Sequence, residues 1–419
     1  MPPILRTGGQ KLDIEVAAPP GWIFAAGDPI IGHVLRHTFL LTLDATVTLT
    51  LKGRIKFDHK ANEDEEHYYN EEQLLGTTTS QTLFHGPLHV PKDSSSTTMA
   101  TWPFSIEIPT KVDRIRHNIA GYSGFLEPDH PGAVLPGTFH VRSGSWSECL
   151  IEYYLEAQLN YINGGHRANE TAAVCILLSN PPTGRLAKYD LELRKSCQLA
   201  RSYRLLPGRQ DMDESFKQKI RRFYASETVP QFQYEIGVWW PCVMQLHNEM
   251  TLPLKISMRG LGEKTSITVQ GVTQHVRLNW IKLNLISSTT APRKKGAWNN
   301  VKFEHDYDLG LEKAFGDLES PITIPLTPHC DTKRLNIDAE DSNGGYQTVD
   351  IGDLFQLNIR PNGLYTGNKL LRLNAPIYPD LVSYSMRHEH RLKWKVSFTV
   401  AGITEQIKGG SKVTIYPSP

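Results

Sequence analysis

Three cations recur at every second position in "RHEHRLKWKVSFTV": Arg391, Lys393 and Lys395. Alternate residues of a strand share a face, so these three make one basic row while Leu392, Trp394, Val396 and Phe398 make an apolar row behind it. Guanidinium and ammonium groups in a row suit charge-assisted hydrogen bonds to phosphate or carboxylate. A second basic cluster, Lys217, Lys219, Arg221 and Arg222, lies in "DESFKQKIRRFYA". There Phe216, Ile220 and Phe223 or Tyr224 would share one face of a helix with the cations opposite. These seven residues are the candidates for binding an anionic partner, either a phosphorylated protein tail or an anionic lipid headgroup. Basic rows also serve simply to keep a face in water, and the residue types alone do not separate the two roles.

Other reactive residue types carry less. His388 and His390 in "RHEHR" would point to one side of a strand and could supply half a zinc ligand set. They are also in line with Leu392 and Trp394, which makes them the end of a core-facing stripe. Glu63, Asp64, Glu65 and Glu66 are consecutive in a polar stretch, where mutual repulsion favours hydration over an acid/base role. The chain contains no GxSxG elbow, Walker loop, HExxH or glycine fingerprint, so the sequence assigns no catalytic residue, no metal and no cofactor. Trp239, Trp240, Trp280 and Trp298 are the aromatics that would line a pocket for an apolar small molecule, should the protein hold one.

The elements that must position these residues read as β-strands. "SECLIEYYLEAQLNY" is apolar at odd positions from Cys149 to Tyr161 and mostly polar at even ones, the period of a half-buried strand. The pattern repeats in "FLLTLDATVTLTLKGRIKF", 39–57, which exceeds an ordinary strand and predicts a break near 42–44. Further strands are expected at 12–16, 30–35, 101–108 and 172–178, and in a second block at 233–239, 254–259, 266–270, 275–286, 356–359, 381–388, 390–400 and 413–416. A phase change near Trp280 and Ile281 predicts a bulge. The polar stretches 61–73, which is acidic, and 92–99, which is rich in Ser and Thr, read as solvated loops, or alternatively as regulatory loops with phosphorylatable Ser and Thr in the second. The fold class is therefore all-β, two β-sandwiches in tandem over 1–180 and 229–419, with 181–228 a connection carrying the short basic helix.

Composition narrows the function classes. Forty-five Lys and Arg against 44 Asp and Glu leave a net charge of +1, which argues against a surface built for nucleic acid. Five cysteines without CxxC or regular Cys/His spacing read as reduced thiols. The amino terminus lacks a basic start and apolar run, and "AAVCILL" is too short to cross a bilayer. A soluble, cytoplasmic protein, at most peripheral at membranes, is expected, and the triplet Asn169-Glu170-Thr171 is then a chance sequon.

Particular residues carry a resemblance. "WIFAAGDPIIGHVLRH", with Gly27-Asp28 and Gly32-His33-Val34, resembles the opening of arrestin-like amino-terminal domains. "LTLKGRIKF", "TWPFSIEIP", "LPGTFHV" and "IEYYLEAQL" follow in that family's order, and "YSMRHEHRLKWKVSFTVAG" and "KVTIYP" are a looser match. The whole is most similar to arrestin-related proteins of filamentous fungi. The resemblance implies two β-sandwich domains, no cofactor, and a non-enzymatic cytoplasmic adaptor or scaffold for membrane-protein tails or other protein partners, in trafficking or signalling. It does not extend to ligase recruitment: "NPPTGR" lacks the tyrosine and "APIYPD" the second proline of a Pro-Pro-x-Tyr motif. Two alternatives share the scaffold. One is an enzyme acting on an apolar metabolite, for example a cyclase, in an aromatic interdomain pocket; the other is a retromer-like coat subunit.

Overall fold

A computed structural model describes residues 11–59, 67–75, 79–91, 100–113, 125–126, 134–143, 147–210, 212, 228–291, 300–329 and 345–419. The helix expected at 213–225, the acidic run Glu63–Glu66, the segment 92–99, Trp298 and Cys330 lie outside these residues. Among the described residues strands dominate and the only α-helices are two short ones, Leu311–Gly316 and Ile351–Phe355. The chain is all-β. It divides into two compact units: Met1–Pro182 with Ser288–Glu304 and Leu381–His388, and Thr183–Ser287 with His305–Asp380 and Glu389–Pro419. Two segments that sequence order assigns to the second half thus belong to the first unit.

In the first unit, β1 (Leu12–Val16), β2 (Pro29–Arg36), β3 (Leu40–His59), β4 (Tyr68–Gln73), β5 (Ser80–Val90), β6 (Ala100–Glu107), β7 (Phe139–Ser143), β8 (Ser147–Asn163) and β9 (His166–Leu178) form two sheets. One has the order β1-β2-β6; the other runs β9-β8-β3-β4, with β5 and β7 paired to β3 and β8. The alternation in β8 is realised: Cys149, Ile151, Tyr153, Leu155, Ala157 and Leu159 are buried. They meet the buried row of β3 in antiparallel register, Ile151 beside Ile55 and Leu155 beside Leu51. Tyr153 falls opposite Gly53, where a Cβ would collide with its ring, and its hydroxyl donates to the Pro136 carbonyl at 2.7 Å.

The break expected near 42–44 is a register shift within one continuous strand, because the two residues between Thr42 and Ala45 lie across from the single Pro87 of β5. The Thr42 hydroxyl secures it by donating to the Asp44 and Ile162 carbonyls. Residues 68–73, read as loop, form β4 instead. Glu71 there bonds Arg54, and Lys56 lies over the Tyr69 ring, so β3 provides the partners that hold a polar strand.

The second unit is built from β10 (Leu191–Arg201), β11 (Gln231–Pro241), β12 (Val243–Gln245), β13 (Lys255–Leu261), β14 (Gln274–Ala291), β15 (Val301–Asp308), β16 (Arg387–Val400) and β17 (Ile403–Tyr416), with shorter strands beside them. The last residues of β14, the first of β15 and the first of β16 belong to the first unit. One sheet has the order β10-β11-β13, the other β12-β17-β16-β14-β15. Their inner faces meet in a core where Trp240 lies 5.3 Å from Trp394 and Tyr234 lies 6.1 Å from Phe398, centroid to centroid. Cross-sheet bonds run from Trp240 Nε1 to Ser411 Oγ and from the Tyr234 hydroxyl to Glu405.

Two sequence expectations change here and a third is met. Residues 191–201, inside the expected connection, are a full strand. Residues 266–270 hold a 3-10 turn at Ile267–Val269 rather than a strand, with Ile267 86% exposed. The phase change expected near Trp280 is present: buried positions are even through Leu278 and odd from Ile281 to Leu285.

Candidate functional site: a cationic groove on the second unit

β16 displays its two rows as the sequence reads. Leu392, Trp394, Val396 and Phe398 are buried and Arg391, Lys393 and Lys395 are exposed. Its neighbours decide what the basic row means. On β17, Lys408 stands directly opposite Lys395, Gly410 opposite Lys393, and Lys412 opposite Arg391. β14 contributes Lys282 and Asn284, and Arg194 enters from β10. All of these except Lys412 line a groove of about 580 Å³.

Gly410 leaves the groove open on the β17 side. Its φ of +154° is a conformation that L side chains rarely adopt, and a Cβ there would strike the Leu392 carbonyl oxygen. The neighbouring Gly409 lies against the Trp394 indole, which fills the space a side chain would need.

The charge balance is one-sided. Six cations line the groove, Arg194, Lys282, Arg391, Lys393, Lys395 and Lys408, against a single carboxylate, Asp306. Asp306 accepts from the Asn284 amide at 2.7 Å, and Lys282 leans away to Asp308 at 3.5 Å. Lys395 lies 5.6 Å from the Trp280 ring centroid, a cation–π contact that leaves its charge unneutralised. Among the described residues, none of Arg194, Arg391, Lys393, Lys395 and Lys408 has an ion-pair partner. Lys412 is answered by Glu389 at 2.7 Å.

The first unit supplies a control. β3 carries Lys52, Arg54 and Lys56 at the same spacing, yet every one is paired: Lys52 with Glu156 at 2.6 Å, Arg54 with Glu152 and Glu71, Lys56 with Asp58 at 3.9 Å. Like charges directly opposite on neighbouring strands destabilise a sheet. One basic row is therefore neutralised by its neighbours and the other reinforced, at a cost to stability. A concave surface of one sign concentrates counter-ions and steers anionic ligands to it.

The groove has one further polar group. Trp394 lines it and is 3% exposed, and its Nε1 is buried without a hydrogen-bond acceptor. Trp240, its partner in the core, has Ser411.

The remaining candidates do not gather into a site. Trp239 and Trp240 are consecutive on β11 and face opposite sides: Trp240 is in the core, while Trp239 is half-buried with its Nε1 donating to Ser257. Trp280 lies beneath Lys395. His388, in the first unit, bonds Thr289 at 2.9 Å and meets the Phe139 ring edge-on; His390, in the second, bonds Asp380 at 2.6 Å. Each is buried and held in place. Among the described residues no three His, Cys, Asp or Glu side chains are grouped to hold a metal ion. Lys217, Lys219, Arg221 and Arg222 lie outside the described residues.

Sequence reading missed Arg194, Lys282 and Lys408. Lys282 is an ordinary polar position of the stretch 275–286, Arg194 falls in the expected connection and Lys408 lies before the strand expected at 413–416; only the tertiary structure brings them to the row on β16. The glycine pair "KGGSK" is the one local sign that this edge is unusual. In comparison with known proteins, the chain matches no family model and no curated sequence.

Proposed function

We propose that this protein is a non-enzymatic adaptor of arrestin-like kind, and that the groove on its second unit receives an anionic segment of a partner protein, such as the tail of a membrane protein. The observation that carries the reading is the uncompensated basic row: Lys393 and Lys395 gain Lys408 as a neighbour where the matching row on β3 gains carboxylates. A merely solvated face has no reason to bear that repulsion. Against an enzyme acting on an apolar molecule stands the dispersal of Trp239, Trp240 and Trp280 to different surroundings. No helix among the described residues is long and apolar enough to cross a membrane, and the proposed place of action is the cytoplasm, at or near membranes.

The test is binding of an acidic and of a phosphorylated peptide, titrated against salt, with the parent chain and with Lys393→Glu/Lys395→Glu. Between about 0.1 and 1 M salt the Debye length falls from roughly 10 to 3 Å, so affinity should drop steeply in the parent. The double variant should bind at least about tenfold more weakly while its circular dichroism is unchanged. Binding indifferent to both salt and reversal would refute the reading.

A further inference from the structure

The groove has a strand edge beside it, and that edge specifies the form of the ligand. β10 ends its sheet, and among the described residues no strand pairs with its outer side. It pairs with β11 in unbroken register from Leu191 beside Pro241 to Arg201 beside Gln231, so it has no bulge, and it contains no proline. Charge aside, it lacks the devices that keep strand edges from accepting another chain.

Its inward row is unusual as well. Opposite Trp240, Val238, Ile236, Tyr234 and Phe232, all buried, stand Glu192, Arg194, Ser196, Gln198 and Ala200, of which only Ala200 is buried. The row that belongs to the core on β11 is thus polar on β10. Arg194 belongs to this row and lines the groove with Lys393 and Lys408.

We propose, resting on the groove's role as an anion site, that the ligand is an extended segment of a partner protein with Asp or Glu at alternate positions, added as a new strand along the free edge of β10. Main-chain N–H and C=O groups of β10 pair with the segment. Its acidic row lies on the same side as Arg194, towards the groove. Alternate residues of a strand are spaced roughly 7 Å apart, the same repeat that separates Lys393 from Lys395 along β16. A small free anion could satisfy the charges but would leave the edge unused, and a membrane surface could not pair with it. Alternating acids on an extended backbone use both features.

The experiment uses the full chain and a synthetic peptide as long as β10 in which Glu alternates with Thr. Two copies are made, one methylated on every Glu backbone nitrogen and one on every Thr backbone nitrogen. Successive N–H groups of a strand point to opposite edges, so only one set can face β10. Strand addition predicts that one copy binds about a hundredfold more weakly than the parent peptide, from several lost hydrogen bonds, and that the other binds nearly as well. Arg194→Glu should weaken the parent peptide as well.

Equal binding of the two copies, with salt and Lys393→Glu/Lys395→Glu still weakening it, overturns strand addition and leaves the groove reading intact. Peptide binding indifferent to salt and to reversal overturns the groove reading, and this proposal with it. Capture by phosphatidylserine vesicles without peptide binding also overturns it, in favour of a membrane surface.

Discussion

Placing a carboxylate opposite Lys395 should stabilise the second unit while impairing its binding. Lys408 and Lys395 are cross-strand partners, and such pairs have Cβ atoms about 5 Å apart with charged ends splayed to roughly 7 Å. Two unit charges at that separation in water repel by roughly 0.6 kcal/mol, reduced to about 0.25 kcal/mol by physiological salt. Lys408→Glu turns this repulsion into attraction, a gain of about 0.5 kcal/mol, and Lys393 and Lys282 at about 10 Å add roughly as much again. The expected total is about 1 kcal/mol, read from urea unfolding at physiological ionic strength. In about 1 M salt, where the Debye length is roughly 3 Å, the gain should shrink to about 0.1–0.2 kcal/mol.

Lys52→Glu provides the opposite sign, because it replaces a diagonal ion pair with Glu156 by two neighbouring carboxylates and should destabilise by about 0.5 kcal/mol. If Lys408→Glu left stability unchanged at low salt, or raised it equally in high salt, the groove would not be a strained electrostatic feature. The case for selection on binding would fall with it.

Other expectations follow from buried polar groups. Arg36, 2% exposed, pairs with Glu170, whose second oxygen accepts from Tyr161. Glu170→Gln should cost about 3–5 kcal/mol by stranding a buried guanidinium, and adding Arg36→Met should recover most of it in thermal unfolding; an unaltered melting point in the single variant would contradict the pairing. Burial raises the Glu405 carboxyl above its ordinary value, with the Tyr234 hydrogen bond acting against the shift. A raised carboxyl has its full stability below the unfolded value and loses it as pH climbs through the folded one. Glu405→Gln, which still accepts from Tyr234, should therefore be more stable than the parent at about pH 8, with the advantage fading as pH falls into the ordinary carboxylate range; a pH-independent difference would refute this. Cys149 is fully buried with its Sγ 3.2 Å from Met386 Sδ, and burial pushes its thiol up, whereas Cys197 is exposed. A maleimide probe should label Cys197 in the native protein and reach Cys149 only after unfolding.

Much of the fold was legible in the sequence because alternation is a local property. A residue's side on a strand depends on its own phase, so Cys149 to Leu159 and Leu392 to Val400 could be sorted into rows from spacing alone. β10, one of the strands that escaped along with Ser80–Val90 and Val301–Asp308, shows why the method fails at an edge. Its inward row is Glu192, Arg194, Ser196 and Gln198, none of them buried, and apolar alternation disappears although the backbone is extended. Tyr68–Gln73 escaped for a related reason, since its polar side chains are held by partners on β3 rather than by a core.

The basic rows mark the boundary between the two kinds of information. Sequence determined that Lys52, Arg54 and Lys56 share one face, and that Arg391, Lys393 and Lys395 share another. Nothing in either segment distinguishes them. Which row is neutralised depends on the strands that lie beside it, whose residues are about a hundred positions away for β3 and β8 and come from β10 and β14 as well as β17 for the groove. Register brings Glu152 and Glu156 to the first row and Lys408 to the second. Coulomb interactions depend on distance through space, so only the tertiary structure could decide that one row is a solvated face and the other an anion site.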